Sequence, residues 1–418
     1  MSIGYACLTV GVENTDQKSC MLKNASESRL SEIVAYNLSA LENIIDYNIK
    51  NQIKLFRISS DLIPFGSSPM NTLHWWDVYR SDFSKIGEKI KKSGMRVSMH
   101  PGQYTVLNSP REEVVERAIQ DLNYHARVLD CLGVGPEHKI VLHIGGIYDD
   151  KKEAMDRFIR NYQSLEEAVK KRLVIENDDK SYTISDVLEI GAILNIPVIF
   201  DNLHNEINPS DQERDELYWI GACRKTWEEK DGNQKIHYSQ QNPEKRAGSH
   251  SESIGINEFM VFYQKIKRDD LDMMLEVKDK NLSAVKCINS TSTQKKIKAL
   301  ELEWSKYKYT ILETSPVNYL EIRKILKDKD GYPAISFYTL VEEALQKERT
   351  IENAVNAAQH VWGYFKDVAS EKEKQAFLKN MDKFIKKETS IRSIKRNLWK
   401  LAVKYKEEYL LSSYYFVL

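Results

Sequence analysis

The sequence has no long apolar run and few cysteines for its length. No stretch approaches the ~18 consecutive apolar residues that a membrane-spanning helix needs. The 5 cysteines in 418 residues are odd in number and form no CxxC pair, which argues against a disulfide framework and against a cysteine zinc site. The first residues also lack the basic segment of a secretory signal. We therefore expect a reduced, cytoplasmic protein that does not bind membranes.

A glycine-rich phosphate-binding loop is also missing after the first apolar run, where residues 4–11 read GYACLTVG. Such a loop is typical of open, doubly wound sheets that bind dinucleotides. Eight short apolar runs instead alternate with amphipathic stretches. The first gaps between runs are rich in loop residues, but each later gap is long enough for the crossover helix that parallel strands need. The runs cover residues 2–7, 53–58, 95–99, 139–142, 172–175, 197–200, 234–238 and 271–275. The pattern predicts an α/β fold, a TIM (β/α)8 barrel.

Beyond residue 280 the strand pattern stops, and the rest of the chain predicts helices only. The helical patterns cover residues 294–309, 319–329, 336–349, 351–367, 370–387 and 391–409. We predict a barrel domain over residues 1–280 and an all-α domain over residues 281–418. The formal net charge is +0, but the tail holds 25 Lys+Arg against 17 Asp+Glu, and the barrel 36 against 44. An acidic barrel would need bound cations to bind nucleic acid.

Metal-ligand side chains follow six predicted strands in succession. The carboxyl ends of the strands form the active-site rim of a TIM barrel. A single histidine at such a position is more often structural than a ligand, but six successive strands favour a shared site. We interpret the histidines away from this rim, His125, His138 and His360, as structural. The residues on the rim are His100, His143, Glu176, Asp201, His204, His237 and Glu276, with His250 in the loop GSHSES after the seventh strand.

The predicted site contains imidazoles and carboxylates but no cysteine, a set that suits Zn²⁺, Mn²⁺ or Fe²⁺ better than Mg²⁺ or Ca²⁺. Five histidines and three carboxylates are more than one ion can accommodate. Two or three ions that lie ~3.5–4 Å apart and share a carboxylate are the arrangement used for in-line attack on phosphate esters. Phosphodiester hydrolysis is therefore the leading prediction, with Glu176 and His237 beside the attacking water and Lys235 as a third catalytic residue.

Seven segments resemble the UV damage endonuclease family and together span roughly residues 1–280. They are FRISSDLIPF (56–65), MHPGQYTVLNSP (99–110), LHIGG (142–146), IENDD (175–179), FDNLHNE (200–206), KIHYSQQ (235–241) and GSHSESI (248–254). The resemblance implies nicking of double-stranded DNA immediately 5′ to cyclobutane pyrimidine dimers, 6-4 photoproducts and some other lesions, with Mn²⁺ as the usual metal. It implies the same eight ligands that follow the strands. We expect a monomer.

Endonuclease IV, an abasic-site enzyme with the same fold and a related site, is the closest alternative. It carries an aspartate two residues before the histidine matched by His250, where this sequence has Gly248, so a third metal would lack a ligand. Lys235 precedes His237 by two residues and is expected to point to the same face, toward the metals. An ammonium group buried beside cations is costly, so Lys235 should be neutral, displaced or converted to a carbamate. The resemblance implies the carboxylated lysine, while a lysine that extends to the rim stays an alternative.

Recognition of a lesion in a duplex requires that the damaged nucleotides leave the base stack. Gln103 and Tyr104 follow His100, and a tyrosine ring can stack on a base while an amide can hydrogen-bond an orphaned partner. The resemblance implies that this pair is the family's probe; a packing role for Tyr104 is the alternative. Tyr5, at the end of the first strand, is a third candidate for DNA contact. Arg57 is expected to bind phosphate or to pair with Asp61.

The segment HVWGYFKDVASEKEKQAFLKNMDKF (360–384) resembles a small helical domain of unknown function that is elsewhere fused to a desulfurase-like domain. Its basic helices are compatible with contacts to a DNA backbone and with an ordinary solvated surface. Two further classes of function stay open for the whole chain. A metal-dependent sugar isomerase uses the same kind of barrel, usually with fewer histidines, and a binding protein without catalysis would not need a complete ligand set.

Overall fold

Eight parallel strands form a closed barrel in which consecutive strands pair along the chain and the last strand pairs with the first. The barrel closes between the first and last strands, where Ile3 lies opposite Met273. The TIM-barrel prediction is therefore confirmed in this computed structural model, which describes all 418 residues. The strands are β1 (Ile3–Ala6), β2 (Leu55–Ile58), β3 (Arg96–Met99), β4 (Ile140–His143), β5 (Leu173–Glu176), β6 (Val198–Asp201), β7 (Gln234–Tyr238) and β8 (Leu271–Leu275).

The connections between strands are helical, including the first one. Residues between β1 and β2 form a 24-residue helix whose start is capped by the Ser26 side chain. Leu30, Ile33, Val34 and Leu41 are buried at the spacing of one helix face, so the expectation of a loop-rich first connection is wrong. The helices are α1 (Glu27–Lys50), α2 (Trp75–Val78), α3 (Arg80–Ser93), α4 (Glu112–Cys131), α5 (Lys151–Gln163), α6 (Glu167–Lys170), α7 (Ile184–Leu194), α8 (Asn202–Ile207), α9 (Glu216–Arg224), α10 (Ile256–Ile266) and α11 (Asn281–Thr291).

The chain divides into two compact units: a barrel unit formed by residues 1–9, 13–254 and 262–285, and a helical unit formed by residues 10–12, 255–261 and 286–418. The helical unit has its own apolar core, which includes Phe365, Phe377, Ile394 and Leu398. Its remaining helices are α12 (Ile297–Thr314), α13 (Pro316–Ile325), α14 (Ala334–Leu345), α15 (Ile351–Trp362), α16 (Glu371–Ile385), α17 (Ile391–Tyr405) and α18 (Glu408–Leu411).

Buried ion pairs lie toward the amino ends of the strands, away from the rim. Lys139 donates to Asp231 at 2.5 Å, and Arg96 donates to Asp272 at 3.2 Å. His138 lies near these cations, and its Nδ1 accepts a hydrogen bond from the main chain of Val97. The interpretation of His138 as structural agrees with this position.

Candidate metal centre

Strand register brings the polar side chains of neighbouring strands side by side at the carboxyl rim. His143, the last residue of β4, lies opposite Glu176, the last residue of β5. Asp201, the last residue of β6, lies opposite His237 of β7. Because parallel strands all end at the same rim, four side chains that are far apart in sequence converge.

Glu176 is the centre of the cluster and is buried. Its Oε1 lies 2.7 Å from His100 Nε2 and 2.9 Å from His143 Nε2. Its Oε2 lies 2.5 Å from His237 Nδ1. Two groups of candidate ligands share this carboxylate: His100 with His143 and Glu176, and Asp201 with His237 and Glu176. Glu176 therefore belongs to both candidate ligand groups.

Asp201 and His204 are held by an asparagine that the sequence reasoning did not single out. The side chain of Asn177 accepts from the Asp201 main chain at 2.9 Å and donates back to it at 3.1 Å. The Asn177 carbonyl lies 2.9 Å from His204 Nδ1, and Asp201 Oδ1 caps helix α8 through the main chain of His204. The only signal in the sequence was its position directly after Glu176.

His100 is oriented from its other ring nitrogen. Its Nδ1 lies 3.0 Å from the Pro101 carbonyl, which leaves Nε2 facing Glu176. A carbonyl on one ring nitrogen and a free second nitrogen is the usual arrangement of a metal-binding histidine, and His204 has it too. The His100 carbonyl accepts from Ser60, whose hydroxyl lies 2.9 Å from buried His125 Nε2. His125 therefore helps to hold His100 in place through the Ser60 hydroxyl.

Glu276 and His250 complete the rim on the far side of β7. Glu276 Oε1 lies 3.4 Å from His237 Nδ1, and Glu276 Oε2 lies 3.6 Å from His250 Nε2. Arg57 donates to Glu276 at 2.6 Å and lies 2.9 Å from His237 Nε2. The alternative in which Arg57 pairs with Asp61 is wrong, because inside the closed barrel the Arg57 side chain reaches Glu276 and His237 instead.

The electrostatics of the cluster favour bound cations. Burial acts to raise the pKa of Glu176, but the facing imidazoles of His237, His143 and His100 hold that pKa well below its ordinary value. Burial raises the pKa of Asp201 to about 6, with repulsion from Glu276 and Glu176 adding to it. Burial opposes protonation of His204, but the nearby carboxylates of Asp201, Glu176 and Glu276 together outweigh it and raise the pKa of His204 to about 9. Three crowded carboxylates thus depend on nearby positive charge.

Three buried atoms of the cluster make no hydrogen bond of acceptable geometry. They are Asp201 Oδ2 and the two atoms of the 2.5 Å contact, Glu176 Oε2 and His237 Nδ1, and all three converge on the same space. An unpaired buried polar atom is costly, and a cation is the partner that satisfies two carboxylate oxygens and an imidazole together. The donor set fits the borderline divalent metals expected from the sequence.

Lys235 lies inside the barrel, two residues before His237. Its side chain is fully buried, and its Nζ has no hydrogen-bond partner. Burial lowers the pKa of Lys235 well below its ordinary value, and the positive charges of Arg96 and Arg57 lower it further. A lysine that extends to the rim does not fit this position, so that alternative is wrong.

Gln103 and Tyr104 stand at the tip of a tight turn beside the cluster. The turn is closed by a hydrogen bond from the Thr105 main chain to the Gly102 carbonyl at 2.9 Å. The Thr105 hydroxyl anchors it to Asp121 of α4 at 2.7 Å. The Tyr104 side chain is 71% exposed, so the alternative in which it is an aromatic residue packed into the protein is wrong. A cavity of about 340 Å³ runs from this loop to two histidines of the cluster and is bordered by Gln103, His143, His204 and Asp179.

Tyr5 does not join this surface. Its ring is fully buried, and its hydroxyl donates to Asn48 of α1 at 2.8 Å. The expectation that Tyr5 contacts DNA is corrected, because the side chain points outward from β1 into the packing between barrel and helix.

Position 248 cannot easily carry the aspartate of endonuclease IV. Gly248 has φ +82, a conformation that L residues rarely adopt, and a Cβ there would lie 2.8 Å from Asp179 Oδ2. The glycine therefore follows from local backbone geometry and from the neighbouring carboxylate.

Comparison with known proteins identifies the family. The sequence model of the family described as UV-endonuclease UvdE matches residues 1–308. The chain belongs to the UvdE family. A protein named UV DNA damage endonuclease from Clostridium perfringens is 41% identical to this UvdE chain over 384 residues, which covers 91% of this chain and 92% of that protein. Another of that name from Bacillus cereus (strain G9842) is 33% identical over 287 residues, 68% of this chain and 90% of that protein.

A solved UvdE structure and a second family description complete the comparison. The crystal structure of SacUVDE aligns with a TM-score of 0.66 and 41% identity, and it covers 69% of this chain and 97% of that one. Residues 308–418 match a protein family of unknown function, DUF1722. Both predicted resemblances are therefore confirmed. No helix of this UvdE chain combines the length and apolar character that crossing a membrane requires.

Proposed function

We propose that this chain is a metal-dependent DNA repair endonuclease that nicks the backbone immediately 5′ to UV photolesions. The observation that carries the proposal is the Glu176 carboxylate, which contacts His100, His143 and His237 within 2.9 Å and belongs to both candidate ligand groups. A carboxylate shared by two ligand groups is typical of two-metal phosphoesterases. Membership of the UvdE family supports the same reaction.

The proposed ligands are His100, His143, Glu176, Asp201, His204, His237, His250 and Glu276. Two or three Mn²⁺ ions are the expected occupants, with Zn²⁺ or Fe²⁺ as alternatives. When bound, such ions supply Lewis-acid chemistry for phosphodiester hydrolysis. The chain's own contribution is to orient the imidazoles through Pro101 and Asn177 and to hold Glu176 ionised.

Lys235 is proposed to carry a carboxylate on Nζ. The lowered pKa of buried Lys235 favours the neutral amine, which adds carbon dioxide through its nitrogen lone pair to give the N-carboxylate with release of one proton. The resulting carbamate would bring a negative charge next to Arg57 and Arg96, which are the cations that now act on this amine.

The proposed substrate is double-stranded DNA that carries a lesion. The cavity of about 340 Å³ between the Gln103–Tyr104 turn and the histidines is the proposed space for displaced nucleotides. Arg57 lies beside Glu276 and His237, and we expect its guanidinium group to stabilise the negative charge that develops on the phosphate during hydrolysis. We expect the protein to act in the cytoplasm as a monomer.

The test is a nicking assay on three plasmids: UV-irradiated, abasic and undamaged, each with Mn²⁺ and with a chelator. We expect nicking of the irradiated plasmid in the presence of Mn²⁺ only. Glu176→Gln and His237→Ala should abolish nicking while binding to irradiated DNA persists, because both side chains lie at the metal centre and not at the probe loop. His360→Ala, an exposed histidine of the helical unit, is the matched control and should nick normally.

Two results would contradict the proposal. Near-normal nicking by Glu176→Gln or His237→Ala would mean that this cluster is not the catalytic centre. Preferential nicking of the abasic plasmid, with the irradiated plasmid intact, would identify an enzyme with the specificity of endonuclease IV instead.

A further inference from the structure

A second cavity, of about 590 Å³, opens in the helical unit beside α17. Arg392, Lys395, Arg396 and Trp399 of α17 line it, at the spacing of three and four residues that places side chains on one helix face. Arg349 and Phe416 line it from other segments of the same unit. The cavity therefore combines four cations with two aromatic rings.

The arginines of the helical unit are concentrated in this cavity. Residues 286–418 contain only four arginines, Arg323, Arg349, Arg392 and Arg396, and three of them line it, whereas lysines are spread along the whole segment. A guanidinium group binds phosphate through a rigid pair of donors, while a lysine serves as a point charge. The residue type selected here is therefore the one suited to phosphate oxygens.

Two of the four cations in the cavity are paired with a buried carboxylate, and the other two have no acidic partner. Glu313 of α12 is fully buried and lies 2.7 Å from Lys395 Nζ and 3.6 Å from Arg349 Nε. Arg349 also donates to the main-chain oxygen of Leu418 at 2.7 Å. Arg392 and Arg396 are exposed and have no acidic partner among the ion pairs of the protein. Glu313 thus positions two cations, and two further guanidinium groups remain available to a ligand.

The cavity also presents aromatic rings, which a nucleotide base can stack on but which inorganic phosphate would not contact favourably. Trp399 and Phe416 pack edge to face with ring centroids 5.2 Å apart, and both remain partly exposed. Rows of cations beside exposed rings are the combination by which proteins hold single-stranded nucleic acid, with phosphates on the cations and bases stacked on the rings.

We propose that this cavity binds a single-stranded segment of DNA, with backbone phosphates on Arg392 and Arg396 and a base on Trp399. The choice of DNA rests on the proposed function of the barrel, whereas the choice of a phosphodiester strand rests on the cavity alone. The site would hold DNA independently of the metal centre.

The test measures binding of the full-length protein to a fluorescein-labelled oligothymidylate of about 12 nucleotides, within the range that single-strand sites occupy. Arg392→Ala/Arg396→Ala should weaken binding ~tenfold at ~50 mM salt and make the plot of log affinity against log salt less steep by ~1.4, since each lost phosphate contact removes ~0.7. Arg323→Ala/Lys400→Ala removes the same charge outside the cavity and should change neither value. Because both variants leave the barrel untouched, any binding by the barrel is common to both.

Three outcomes would overturn the proposal. One is an equal loss in both double variants, which would indicate a diffuse charge effect, and another is unchanged binding in Arg392→Ala/Arg396→Ala. The third is an affinity that does not rise from thymidine monophosphate to the longer oligonucleotide, or that is higher for oligouridylate than for oligothymidylate. Normal nicking of irradiated plasmid by Arg392→Ala/Arg396→Ala would show that a failure here leaves the function of the barrel intact.

Discussion

Removal of the two side chains at the tip of the probe loop, Gln103→Ala with Tyr104→Ala, should weaken binding to damaged duplex without disturbing the metal centre. Tyr104 is 71% exposed, so the free protein loses little packing. Burial of an aromatic side chain covers ~150–250 Å², and covering the exposed fraction of Tyr104 at ~25 cal/mol per Å² gives ~3–4 kcal/mol as an upper value. Stacking on a base is worth ~1–3 kcal/mol. We therefore expect the double variant to lose ~tenfold to several hundredfold in affinity.

The assay is fluorescence anisotropy at one salt concentration, with a duplex that carries a single cyclobutane dimer and the same duplex undamaged. A Glu176→Gln background prevents cleavage during the affinity measurement, while metal content is compared between the double variant and the protein with Glu176 intact. Salt is held constant because phosphate contacts elsewhere depend on it. Tyr104→Phe keeps the ring and should keep the preference for damaged DNA. An unchanged ratio of damaged to undamaged affinity in the double variant, with metal content also unchanged, would refute a role of this loop in lesion recognition.

Three further predictions follow from other parts of the barrel. Metal analysis of protein purified without chelator should give at least two ions per chain, and one or fewer would contradict the shared role of Glu176. Gly4→Ala should destabilise the fold by ~3 kcal/mol or more in urea unfolding, because its Cβ would lie 1.9 Å from the Leu55 carbonyl, whereas Gly221→Ala, where a Cβ meets nothing within 4 Å, should not destabilise it. Burial and the charge of Arg96 lower the pKa of His138 to about 3. The His138 imidazole therefore stays neutral in the folded protein over a pH range in which it is protonated in the unfolded chain, whose histidine pKa is ~6.5. Stability present at neutral pH should then fall by up to ~1.4 kcal/mol per pH unit as the pH drops from ~6.5 toward 3, and this part of the slope should disappear in His138→Gln.

The strands and the polar residues at their ends could be predicted because both depend on local pattern. His143 and Glu176 each end a buried apolar run, and a parallel barrel brings all such ends to one rim. The first connection was harder, because the loop before α1 obscures the helical spacing that begins at Leu30.

Contacts that depend on barrel closure could not be predicted. Arg57 pairs with Glu276 of the last strand end, a partner 219 residues away, rather than with nearby Asp61. Tyr5 was misassigned for a related reason: residues of β1 are buried on both faces, so alternation along the strand does not distinguish the rim from the helix side. The role of Asn177 depends on hydrogen bonds to β6, which the sequence does not reveal.

The most direct test of the account is to map the cut on a labelled duplex that contains one cyclobutane pyrimidine dimer at a known position. With Mn²⁺ present, we predict a single nick at the phosphodiester immediately 5′ to the dimer, on the damaged strand only, and no nick with Glu176→Gln. Cleavage at scattered positions, cleavage of the undamaged duplex at the same rate, or an intact damaged strand under these conditions would contradict it.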